Sequence, residues 1–118
     1  MQILIVDDDP LAGELTAMLV EDAGYQTQLL ESGIEALQML SEENPFAAII
    51  SDMNMPLMDG LELFAELRQQ GITTPFILLT GDDPAPLLAR APTLNACMTK
   101  SGDLISELSV LLSRVIEA

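Results

Sequence analysis

The sequence predicts a doubly wound α/β fold: a five-stranded parallel sheet of order 2-1-3-4-5 with helices on both faces. Three observations carry that prediction. Strand-like and helix-like segments alternate five times, the pattern of parallel strands joined by helical crossovers. The first, third and fourth strand-like runs, Ile3–Val6, Phe46–Ser51 and Phe76–Thr80, are almost wholly apolar, as strands covered on both faces are. At 118 residues the chain fits one domain, read here as 1–118, and right-handed crossovers in so small a sheet favour this strand order.

Element by element, Ile3–Val6 is a short strand running into Asp7-Asp8-Asp9. Pro10 suits the first position of a helix, with Asp9 as its N-cap. Leu11, Leu15, Met18 and Leu19 mark the apolar face of that helix, and Gly24 closes it. Tyr25–Leu30 reads as the second strand. Ser32 and Glu35 have capping-box spacing and start a helix to about Glu43. Phe46–Ser51 is the third strand, followed by an irregular loop containing Pro56. Asp59 can cap a helix over Gly60–Gln70, stopped by Gly71. Phe76–Thr80 is the fourth strand and Asn95–Thr99 the fifth. Between them Pro92 leaves room for a short helix of about two turns. The chain ends in an amphipathic helix over Asp103–Glu117 with Leu104, Leu108, Leu111, Leu112 and Val115 on one stripe.

Composition narrows the function. Nineteen acids against four bases give a formal charge of −15, which repels phosphate backbones and excludes direct nucleic-acid binding by this domain. With no histidine, the chain has no histidine-based triad and carries no phosphohistidine of its own. Its apolar runs are far shorter than the ~20 residues that span a bilayer, and no leader pattern precedes them. The single Cys97 has no internal disulfide partner. These features together predict a cytoplasmic protein that does not engage membranes.

The functional argument comes from where the strands stop. The first ends at Asp7-Asp8-Asp9, the third at Asp52, the fourth at Thr80 and the fifth beside Lys100, the only lysine. In an open parallel sheet the ligand crevice lies beyond the carboxyl ends of the strands. Clustered carboxylates repel one another unless a cation intervenes, and Mg²⁺ suits such an all-oxygen set. A carboxylate can also be the nucleophile in phosphoryl transfer, giving an acyl phosphate. The transferring group then needs a metal, a cation and hydrogen-bond donors around its oxygens. Asp7 and Asp8 offer the metal site, Lys100 the cation and Thr80 the hydroxyl.

Four motifs, in order along the whole chain, now point to a family. Ile3-Leu-Ile-Val-Asp-Asp-Asp-Pro10, Asp52-Met-Asn-Met-Pro-Leu-Met-Asp-Gly60, Phe76-Ile-Leu-Leu-Thr-Gly81 and Thr99-Lys100 resemble response-regulator receiver domains of the chemotaxis-regulator-like kind. The resemblance implies a flavodoxin-like receiver fold and a two-component or phosphorelay role. It implies that Asp52 is the phosphoacceptor, that Asp8 is the more direct Mg²⁺ ligand and that Asp7 acts mainly through water. Asn54 matches the position whose backbone carbonyl binds the metal, Thr80 the switch hydroxyl, and Lys100 the lysine that meets the phosphoryl group. The implied donor is a phosphohistidine on a histidine kinase or histidine phosphotransfer domain, and the signal passes to an output domain or partner protein. On this reading the chain is not a dedicated enzyme.

Three departures qualify the resemblance. Ser101 follows the lysine where receivers commonly have proline, Cys97 stands where they carry an aromatic, and the fourth helix is stunted. Two rival readings differ in class. One is a degenerate receiver that binds a partner without phosphorylation. The other is an aspartate-nucleophile phosphohydrolase of the haloacid-dehalogenase kind, since Asp7-Asp8-Asp9 contains Asp-x-Asp and Gly81-Asp82-Asp83 imitates a late acidic motif. Against the second, Lys100 follows those late acids rather than preceding them, and Asp52 is left unexplained.

Overall fold

The structure, a computed structural model, describes residues 1–100 and 103–117, with 103–105 and 117 described by backbone alone. The strands are β1 (Gln2–Val6), β2 (Gln26–Leu30), β3 (Phe46–Asp52), β4 (Phe76–Thr80) and β5 (Ala96–Thr99). The helices are α1 (Pro10–Asp22), α2 (Gly33–Glu42), α3 (Gly60–Gln69), α4 (Ala85–Arg90) and α5 (Asp103–Glu117). All strand pairs are parallel and the sheet order is β2-β1-β3-β4-β5, as expected.

Period-two alternation divides the core. Leu4, Val6, Ile49 and Leu78 point to the face covered by α2 and α3, joined there by Ala36, Leu40, Leu63 and Leu67. Ile3, Ile5, Ile50 and Leu79 point to the opposite face, covered by Val20 of α1 and by Leu108 and Leu112 of α5. Both faces of the interior strands are therefore dry, which is why their sequence shows no alternation of polar residues. Leu104, predicted in the stripe of α5, lies outside the residues whose side chains are described, as does Ser101.

Helix ends follow local chemistry. Asp9 caps α1, accepting from the Leu11 and Ala12 N–H groups at 3.0 and 3.4 Å. Gly24 takes φ 99° and Gly71 φ 79°, left-handed turns that end α1 and α3 cheaply. At α2 Ser32 accepts from the Glu35 N–H, one half of the expected box. The complete reciprocal box forms instead at α3, between Asp59 and Glu62. Helix α4 is short, as predicted: six residues, none buried, with no side-chain cap.

One expectation is corrected. Leu11, Leu15 and Met18 of α1 are exposed at 78, 54 and 60%. The helix buries Gly13, Thr16 and Val20 instead. Its axis lies too close to the sheet for large side chains: a Cβ at Gly13 would fall 2.7 Å from Leu29 Cδ1 and 3.5 Å from Asp7 Cβ. The small-residue stripe Gly13-Thr16-Ala17-Val20, present in the sequence, is the face that packs.

Candidate functional site

The carboxyl ends of β1, β3 and β4 and the residue after β5 converge at one edge of the sheet. Asp7 follows β1 and is 2% exposed; its N–H donates to the Leu30 carbonyl at 3.0 Å, and one carboxylate oxygen accepts from the Asp9 N–H at 3.0 Å. Asp8, next in the chain, faces solvent. Asp52 ends β3 and is 9% exposed. Carboxylate oxygens of Asp7, Asp8 and Asp52 lie within 4.8 Å of one another. This all-oxygen set fits a hard divalent cation such as Mg²⁺.

Lys100 reaches into that cluster. Its Nζ stands 3.0 Å from Asp7 Oδ2 and 3.0 Å from Asp52 Oδ1. Burial lowers the Lys100 pKa, but hydrogen bonds and charges from Asp7 and Asp52 outweigh it and hold the ammonium above its ordinary range. For Asp52 burial raises the pKa, Lys100 lowers it, and the charges of Asp7 and Asp8 raise it again; the net direction is up. The edge thus holds a firmly protonated lysine beside a carboxylate that benefits from further positive charge.

Thr80 and Asn54 sit one step away. Thr80 is 2% exposed and its hydroxyl accepts from the Asp82 N–H at 3.1 Å. Its carbonyl accepts from the Lys100 N–H at 2.7 Å, tying the β4–α4 loop to the end of β5. Asn54 and Thr80 line a cavity of ≈ 320 Å³ together with Met53, Asp82, Asp83 and Leu87. The structure thus brings Asp7, Asp8, Asp52 and Lys100 into mutual reach, with Thr80 and Asn54 on the adjoining wall. Asp82 and Asp83 are exposed and stand outside the carboxylate cluster formed among the described residues, contrary to the arrangement a phosphohydrolase reading requires.

Two features were missed at the sequence level. Ser51 is fully buried and donates to the Asp52 carbonyl at 2.9 Å; the signal was a hydroxyl inside an apolar run. Leu57, 90% exposed, holds φ 70° in a γ-turn closed by the Met58 N–H on the Pro56 carbonyl at 2.8 Å. Cys97 is half-buried against the α2–α3 core, and burial pushes its thiol pKa up, the opposite of what a reactive thiolate needs.

Known proteins share both sequence and fold. Residues 3–103 match the family described as response regulator receiver domain. The sensor histidine kinase RcsC of Salmonella typhimurium is 36% identical over 102 residues, which are 85% of this chain but 11% of that protein. The response regulator MprA of Mycobacterium avium is 39% identical over 83 residues, 70% of this chain and 36% of that protein. The chain therefore spans only a minor part of the length of these relatives. The response regulator TrrA of Thermotoga maritima, solved in complex with Mg²⁺-BeF, superposes with TM-score 0.86 at 29% identity, covering 97% of each chain. No helix among the described residues is long and apolar enough to cross a membrane. With acids and lysine at one sheet edge, strand order 2-1-3-4-5 and relatives of this kind, the chain belongs to the response regulator receiver domain family of two-component signalling.

Proposed function

We propose that residues 1–118 act as one receiver unit that takes a phosphoryl group onto Asp52 from a phosphohistidine of a histidine kinase or histidine phosphotransfer domain. The observation that carries this reading is the placement of a nearly buried Asp52 among two further carboxylates and the only lysine. In the transfer an Asp52 oxygen bonds to phosphorus, the P–N bond breaks, and its electron pair returns to the imidazole. Mg²⁺, when bound, would supply positive charge to offset that of the acceptor and phosphoryl oxygens. Asp8 and Asp7 would hold it, with the Asn54 carbonyl and Asp52 completing the protein's share. Lys100 is positioned to leave Asp7 and pair with a phosphoryl oxygen. The Thr80 hydroxyl accepts from the Asp82 N–H, and among the described residues its own hydrogen is committed to no partner, so it has a donor to offer.

A protein donor is supported by the exposed stripe Leu11, Leu15 and Met18 on α1, the helix that starts directly after Asp7-Asp8-Asp9. The phosphorylated domain signals to an output domain or partner protein, in the cytoplasm. Incubation with Mg²⁺ and acetyl phosphate is expected to add one phosphoryl group by intact mass, with no addition to Asp52→Asn or in chelator. Equal labelling of Asp52→Asn would overturn the assignment. An unlabelled but folded wild type would favour a receiver that binds its partner without phosphorylation.

A further inference from the structure

Ser51 is the anomaly of β3. Its neighbours Ala48, Ile49 and Ile50 are aliphatic and fully buried, and Ser51 is equally buried at 0%. A buried hydroxyl left unpaired is destabilising, so an aliphatic residue would suit the position better unless the hydroxyl has a task. Among the described residues its one hydrogen bond goes to the main-chain carbonyl of Asp52, at 2.9 Å.

The same peptide is approached from another side. A Cβ at Gly60 would fall 2.6 Å from the Asp52 carbonyl oxygen and 3.1 Å from Met53 Cα, so α3 starts pressed against the end of β3. The other end of that peptide is held too, where the Met53 N–H donates to the Leu79 carbonyl at 2.8 Å, and the following peptide is held by the Gly60 N–H, which donates to the Met53 carbonyl at 2.9 Å. Backbone at 52–53 is thereby fixed by a side chain, a neighbouring strand and a helix start, at the point where the Asp52 side chain leaves the sheet.

We propose that Ser51 is a positioning residue for phosphoryl acceptance at Asp52: its hydroxyl orients the Asp52 peptide and so the line along which the carboxylate meets phosphorus. The inference rests on the reading of Asp52 as phosphoacceptor. Rotation of the 52–53 peptide swings the carboxylate about its Cα, and a misplacement of about 1 Å can cost 100-fold in rate. Ser51 acts through Asp52 alone.

The test compares wild type, Ser51→Ala, Ser51→Cys and Ser51→Thr for rate of labelling by acetyl phosphate at saturating Mg²⁺, well below each melting temperature. Ser51→Ala is expected to be labelled about tenfold more slowly. Ser51→Cys, which is slightly larger and donates weakly, is expected to be similarly slow, and Ser51→Thr to recover most of the rate. Mg²⁺ affinity, read from the metal-induced rise in melting temperature, stays within about twofold in all four. Labelling of Ser51→Ala at the wild-type rate, with only its melting temperature lowered, overturns this inference while leaving Asp52 as acceptor. Absence of labelling in wild type overturns both readings together.

Discussion

At the scale of single residues, the site is governed by an imbalance between carboxylates and cations. Lys100 pairs with Asp7 and Asp52 at once, so one ammonium serves two acids while Asp8 adds a third charge. Burial first, then Asp7 and Asp8, keep the Asp52 pKa above its ordinary 3.8 despite Lys100. The sign of the linkage follows: the folded state holds the Asp52 proton more tightly than the unfolded chain does. Its contribution to stability is full below the ordinary value and is lost as pH rises through the raised one. Metal-free Asp52→Asn is therefore expected to melt above wild type at pH 7.5, with the gap closing as pH falls toward 4 and also when Mg²⁺ is added to wild type. Thermal melts in chelator measure this; a lower melting temperature for Asp52→Asn at pH 7.5 contradicts it. The identity of these residues was legible from the strand-end motifs. The double pairing of Lys100 was not, because it depends on how far β5 stands from β1 and β3.

At the scale of elements, two glycines separate side-chain from backbone packing. A Cβ at Gly13 meets Leu29 Cδ1, the movable tip of a side chain, whereas a Cβ at Gly60 meets Leu78 Cδ1 and, at 2.6 Å, the Asp52 carbonyl. Gly13→Ala gains about 1 kcal/mol of helix propensity against a small shift of Leu29, so its stability should stay within about 1 kcal/mol of wild type. Gly60→Ala forces backbone apart and should lose about 1–3 kcal/mol, the usual range for overpacking. Urea titration distinguishes them; equal losses would show that α3 can retreat from β3 as easily as Leu29 can turn. The helices themselves were readable from caps and breakers, since Asp9, Ser32, Asp59, Gly24 and Gly71 all act within a few residues of where they stand. The face α1 presents was not readable. Its large residues and its small ones both form stripes of helical period, and only the approach of β2 and Asp7 selects the small one.

At the scale of the whole molecule, the sheet delivers four separated segments to one edge and links two of them through the backbone. The Lys100 N–H holds the Thr80 carbonyl, the Asp82 N–H holds the Thr80 hydroxyl, and the Thr99 hydroxyl makes a long 3.5 Å bond to the Asp82 carbonyl. A phosphoryl group adds about 1.5–2 negative charges, and drawing Thr80 and Lys100 toward it tightens this mesh. Helix α4, with no buried residue, offers little resistance to such movement. Hydrogen exchange with beryllofluoride and Mg²⁺ is expected to show new protection over Thr80–Ala91 and little change at Cys97, whose half-buried thiol replaces the family's large ring. Protection concentrated at Cys97 and α5, with Gly81–Ala91 unchanged, contradicts this account. Protection is expected over Lys100–Asp103 as well, a stretch that includes Ser101 and Gly102, which lie outside the described residues.

What the sequence by itself determined is the order of elements, the strand order and the set of chemical groups at the strand ends. Those follow from local signals: apolar runs, caps, glycines and acids that directly follow a strand. What only the tertiary structure decided is everything that depends on distance between segments far apart in the chain. Lys100 and Asp7 are 93 positions apart yet share an ion pair, and the Lys100 N–H reaches back to the Thr80 carbonyl at the end of another strand. Both contacts form only at hydrogen-bond distance, so no pattern along the chain reports them until packing sets the separation.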